Sequence, residues 1–187
     1  MGAALARPCL LRADPPPAEG YGSLLVTAPA HADLQSLAAL LGTWRGEGEG
    51  SYPTIEPFRY SEEISFTHVG KPFVAYRQAT VNLATGLPAH SEAGYWRPAG
   101  EGRVELVMAH PTGVVEIEEG TVEALADGVR LHVRSTAVAC SGTAKSVLTL
   151  QRDVEVAGDT LRYDLAMGAV GQAHQHHLNA TLRRVDD

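Results

Sequence analysis

Cysteine is nearly missing from this sequence. Cys9 and Cys140 are the only two in 187 residues, and they form no CxxC pair. A disulfide scaffold, a cysteine-based zinc site and a thiol-anchored cofactor are therefore excluded, and a reducing cytoplasm is the expected location. A basic excess is missing too. The formal charge is -7 and the pI about 5.6, which gives no affinity for a nucleic-acid backbone. No run approaches the roughly 18 apolar residues of a membrane span. The amino terminus "MGAALARPCLLRADPPP" has no apolar segment leading to a small-residue cleavage site. Its Met-Gly start has Ala6 where a myristoylation signal needs Ser or Thr. No internal repeat is present. No Ser/His/Asp arrangement can be specified either, which leaves nucleophilic hydrolysis without candidates.

What is present reads as one domain behind a leader. Residues 1–31, with Pro15, Pro16, Pro17, Gly20 and Gly22, are expected to be flexible, and residues 32–187 to fold. "HADLQSLAALLGTW" predicts a short helix, with Asp33 as its N-cap, Leu34, Leu37, Leu40 and Leu41 on one face, and Gly42 as its stop. Beyond Trp44 the period changes to two. Val104, Leu106 and Met108 alternate with more polar neighbours, as do Val129, Leu131 and Val133, and Leu161, Tyr163, Leu165 and Met167. Turn signals at 84–88, 97–102, 126–128 and 157–159 separate such runs. About ten strands joined by short turns predict an all-β fold, an antiparallel up-and-down β-barrel of the lipocalin or fatty-acid-binding kind, with one short N-terminal helix. A two-sheet sandwich is the alternative.

Gly42, Gly46, Gly48 and Gly50 superficially suggest a phosphate loop. They follow a helix and lead into strands, the reverse of what a phosphate cradle needs. Glycines in a first strand instead allow a sharp bend or the close approach of a ligand. The heptad Gly42-Thr43-Trp44-Arg45-Gly46-Glu47-Gly48 matches the GxWxGxG signature of the nitrobindins, and the likeness continues through "YPTIEPFRYSEEISFTHVGKPF", "TGVVEIEEG", "AKSV" and "HLNATLRR". Over roughly residues 36–185 the chain resembles this family of haem-binding β-barrels. The resemblance implies one non-covalently bound haem b per chain, ferric in its working state, that isomerises peroxynitrite to nitrate and also binds nitric oxide. A homodimer is compatible with it; nucleic acid and membrane partners are not expected.

Three of the 8 histidines, His174, His176 and His177, fall within four residues of "HQHHL". Strict alternation places His176 on the face of Leu178, Ala180 and Leu182, with His177 on the other face beside Asn179 and Thr181. The resemblance selects His177, the histidine directly before Leu178, as the axial iron ligand and catalytic centre; a β-bulge would reconcile the two. The resemblance further implies haem contacts at Thr54, His68, Lys145 and Met167. Plainer roles exist for each: a turn hydroxyl for Thr54, a polar strand end for His68, a surface cation for Lys145 and core packing for Met167. Trp44 is expected in the barrel floor rather than at the ligand. Glu62-Glu63 and Glu118-Glu119 are expected on solvated strand edges. His174 and His176 could share zinc from one strand face, but no further pair at metal spacing is apparent. The rival functions are a lipocalin-like carrier of a fatty acid or similar apolar ligand without haem, and an interaction domain whose interior is filled.

Overall fold

The structure, a computed structural model, describes residues 29–185. The expected leader lies outside the described residues apart from 29–31. The first element is a 3-10 helix, η1 (Ala32–Leu40), followed by ten strands: β1 (Gly42–Tyr52), β2 (Ile55–Thr67), β3 (Val74–Asn82), β4 (Pro88–Pro98), β5 (Arg103–His110), β6 (Val114–Leu125), β7 (Gly128–Cys140), β8 (Val147–Ala157), β9 (Thr160–Ala169) and β10 (Gln175–Val185). Every consecutive pair is antiparallel, and β10 returns to pair with β1, so the sheet closes as an up-and-down barrel. Closure leaves no unpaired strand edge, and the sandwich alternative falls.

Alternation builds the wall as expected. Val104, Leu106, Met108, Val129, Leu131, Val133, Leu161 and Leu165 are all buried, while Tyr163 and Met167 are half-buried against the interior. The helix differs from its expectation in two details. Its cap is His31, whose Nδ1 accepts from the Asp33 amide at 3.3 Å, so Asp33 lies inside the first turn and is not the cap. It also winds with three residues per turn, which stacks Leu34, Leu37 and Leu40 on one buried face and leaves Leu41 beyond the end.

The helix seals one end of the barrel. Trp44 is fully buried there, donates from Nε1 to the Leu40 carbonyl at 2.8 Å, and carries the Arg184 guanidinium 4.1 Å from its ring centre. Arg184 also donates to the carbonyls of Leu41 and Ala39, satisfying the helix end. Trp44 thus belongs to the floor, as expected. Two of the signature glycines, Gly46 and Gly48, serve close strand packing. A Cβ on Gly46 would overlap the Thr181 carbonyl and stand 2.7 Å from the Leu182 Cα, and one on Gly48 would overlap the Tyr60 ring. Their bareness lets β10 and the cross-strand tyrosine close over β1.

Candidate functional site

At the end opposite the helix the barrel opens. The mouth is framed by the β1–β2, β3–β4, β5–β6, β7–β8 and β9–β10 connections. A cavity of about 310 Å³ runs inward from it, bordered near the rim by Phe58, Leu165, Met167, His177 and Leu178. An interior filled by side chains is thereby ruled out. His177 reaches this cavity because the β9–β10 register shifts between His176 and Leu178. The bulge breaks alternation, so His177 and Leu178 both border the interior, while His176 points to Asp164 at 3.3 Å and His174 to Thr149 at 2.9 Å. His177 Nδ1 lies 3.0 Å from the Ser51 carbonyl. A carbonyl can only accept, so Nδ1 carries the proton and Nε2 keeps its lone pair. Nε2 makes no hydrogen bond among the described residues. The ring is held edge-on by Tyr52 and Phe58, with centroids 5.2 and 6.5 Å away. Burial lowers the imidazole pKa, with the nearby His176 and His90 adding to the effect against the opposing pull of the Ser51 carbonyl. The neutral, coordinating form is the favoured one.

The other expected contacts divide by barrel end. Thr54 is exposed in the β1–β2 turn, two residues past Tyr52, and Lys145 is exposed in the β7–β8 loop; both stand on the mouth rim. The β9–β10 turn is tied to that loop by Val170, which donates to the Ser146 carbonyl at 2.8 Å. Val170 holds a positive φ of 47°, costly for a β-branched residue and tolerated here beside Gly171. His68 is elsewhere. It follows the far end of β2, ten residues or about 30 Å of strand beyond Phe58. There its Nδ1 accepts from the Gly70 amide at 3.3 Å, the role of a polar strand end, and it does not border the cavity.

Inside the barrel is a polar wall, spread over β2, β4, β5, β6 and β8, that the sequence reading missed. Glu62 and Glu118, expected in solvent, are 4% and 0% exposed. Each belongs to a run in which alternate residues point inward, and the inward face of β6 carries both Glu116 and Glu118. Arg152 on β8 donates to Glu118, to Glu116 at 2.7 Å and toward Glu92 at 3.4 Å. Burial raises the Glu92 pKa less than Arg152 and the neighbouring histidines lower it, so it falls to about 2. Glu116 is likewise lowered, because Arg152 and His110 outweigh its burial. Glu118 is raised to about 8, first by burial and then by Glu116, against the pull of Arg152. A second group surrounds Glu62, which accepts from Gln78 at 2.7 Å and from Tyr163 at 3.0 Å. Its burial raises it to about 7. The cue was available: carboxylates two apart within a period-two run must share a face.

Comparison with known proteins fits this geometry. Residues 33–184 match the family model described as the THAP4-like, heme-binding beta-barrel domain. The chain belongs to that family. A relative from Mycobacterium marinum named peroxynitrite isomerase 2 is 53% identical over 84% of this chain and 98% of its own. One from Nocardia farcinica named peroxynitrite isomerase is 54% identical over 82% of this chain and 92% of its own. The crystal structure of Rv2717c from M. tuberculosis superposes with a TM-score of 0.81 at 48% identity, covering 84% of this chain and 99% of that one. For a heme-binding barrel the donor set at the mouth is chemically suitable. His177 offers an oriented imidazole with an unengaged Nε2, Phe58, Leu165, Met167 and Leu178 offer apolar walls for a porphyrin face, and Lys145 offers a cation at the rim.

Proposed function

We propose that this chain is a peroxynitrite isomerase that binds one haem b per chain, non-covalently, through His177, and that the same site binds nitric oxide. The observation that carries the reading is the bulge at His177, with the Ser51 carbonyl orienting the ring and leaving Nε2 toward the cavity. When bound, haem would supply a Lewis-acidic ferric iron, and isomerisation of peroxynitrite to nitrate consumes no electrons. The chain's own residues position and shield. The Ser51 carbonyl fixes the tautomer of His177, Tyr52 and Phe58 hold its ring plane, and Met167 and Leu165 exclude water from one side of the mouth. From the exposed mouth rim, Lys145 would pair with a propionate and Thr54 would contact the porphyrin edge. The near absence of cysteine supports a cytoplasmic place of work.

A fatty-acid carrier fits the cavity poorly. A ligand carboxylate entering it would meet Glu92, and the Arg152 guanidinium that also borders the cavity is already engaged by Glu92, Glu116 and Glu118.

The test is direct. His177→Ala should lose most haem affinity, read as loss of the Soret band after desalting, and its peroxynitrite decay should fall to the uncatalysed rate. His176→Ala and His174→Ala should retain both. Loss in His176→Ala with His177→Ala intact would refute the assignment, and a wild-type protein that stays colourless after haem addition would refute the haem reading.

A further inference from the structure

Within the polar wall, one group of side chains has a geometry that its hydrogen bonds do not account for. His90 and Glu92 lie two apart on β4 and share its inward face; His110 ends the neighbouring β5. His90 Nε2 and His110 Nδ1 are 3.2 Å apart, and Glu92 Oε2 lies 3.3 Å from His110 Nδ1 and 3.7 Å from His90 Nε2. We propose that these three atoms are the protein ligands of a divalent transition-metal site of the zinc class, distinct from the haem position at His177.

The triangle has the right size. Ligand atoms about 2.1 Å from a tetrahedral zinc stand about 3.4 Å from one another. From the three edges of this triangle, the point equidistant from these atoms lies about 2.0 Å from each, within the range of Zn–N and Zn–O bonds. A single proton links only two atoms, whereas here three converge.

The surroundings match those of a metal site. His110 Nε2 donates to Glu116 Oε1 at 2.8 Å, the carboxylate–histidine pairing that orients a metal-bound imidazole and directs its other nitrogen at the ion. Glu92 is fixed from behind by the Tyr76 hydroxyl, which donates to Oε1 at 2.7 Å, while Oε2 faces the histidines and also lies 3.4 Å from the Arg152 guanidinium. Glu116 Oε2 is buried and has no hydrogen-bond partner among the described residues. Two of the buried carboxylates, Glu92 and Glu116, face one buried guanidinium, Arg152, and a dication would offset that excess of negative charge. Imidazole and carboxylate ligands suit zinc better than calcium or magnesium. All three ligands border the cavity, so the fourth coordination position opens toward the space that His177 also borders.

The experiment titrates the full chain, stripped with a chelator and dialysed, with zinc chloride, and reads bound zinc by elemental analysis and affinity by calorimetry. One zinc per chain is expected. His90→Ala, whose side chain is 36% exposed and so can be removed without opening the core, should weaken binding at least about 30-fold. Glu116→Gln should weaken it about 10-fold or more by loosening His110. The double variant His174→Ala/His176→Ala should bind zinc like the wild type, because those exposed rings sit outside the triad. Absence of zinc binding in the wild type would overturn the proposal. So would binding unchanged in His90→Ala, or binding that disappears in the His174/His176 variant.

Discussion

At the scale of single residues, the buried carboxylates set the pH response. Glu62 faces Tyr60 on its own strand, Tyr76 and Gln78 on β3, Glu92 on β4 and Tyr163 on β9, and no cation pairs with it directly. Burial raises its pKa from 4.5 to about 7. Below the lower value both folded and unfolded chains hold the proton, and the group costs nothing. Between the two the unfolded chain ionises first, so stability falls as pH rises through this window and levels off above it. The loss is on the order of 3 kcal/mol when complete. Glu62→Gln keeps an acceptor for Tyr163 and cannot ionise. Its stability, measured by urea denaturation from pH 4.5 to 8, should decline less with pH than that of the wild type. Parallel curves would show that Glu62 ionises without penalty.

At the scale of elements, β1 and β10 form the decisive pair. β1 contributes the glycines that allow contact, and β10 contributes His177, so the packing of one sets the position of the other. Gly46 is paired with Leu182, and a methyl group there meets backbone rather than a side chain that could rotate away. Gly46→Ala should therefore cost about 1–3 kcal/mol, read as a lower urea midpoint. The Soret band should also weaken, because β10 is forced outward. A neutral Gly46→Ala would mean that the two strands can separate freely. The bulge belongs to the same scale. It is the local defect that lets two successive residues of β10, His177 and Leu178, border the interior.

For the whole molecule, the described fold is complete from the helix onward. The core starts at Leu34, and the last wall residue to be buried is Leu182. We expect a chain beginning at Pro29, which keeps the His31 cap, to retain its melting temperature and its haem within error. A fall of several degrees would show that the preceding residues pack on the barrel. The rim and the deeper interior of the barrel do different chemistry. The rim at β10 presents a neutral imidazole and apolar side chains, and deeper positions on β2, β4, β5, β6 and β8 present Glu62, Glu92, His110, Glu116, Glu118 and Arg152.

Sequence by itself determined the architecture. Strand periodicity, turn spacing and the GxWxGxG run depend on neighbours along the chain, so Val129, Leu131 and Val133 could be assigned inward, and the barrel was expected with the right number of strands. His177 was legible only through the family likeness, because alternation alone favours His176; the bulge that reverses the choice arises from pairing with β9. Tertiary structure alone decided the polar wall. Glu118 reads as surface until Arg152, 34 residues later in the chain, is placed against it. His90 and His110 likewise become neighbours only when β4 pairs with β5. His68 shows the converse: a motif can bring its residue into register with a family while the fold holds it at the far end of a strand. A side chain's chemistry at a site is set by what faces it across the barrel, and closure of the sheet determines which residues those are.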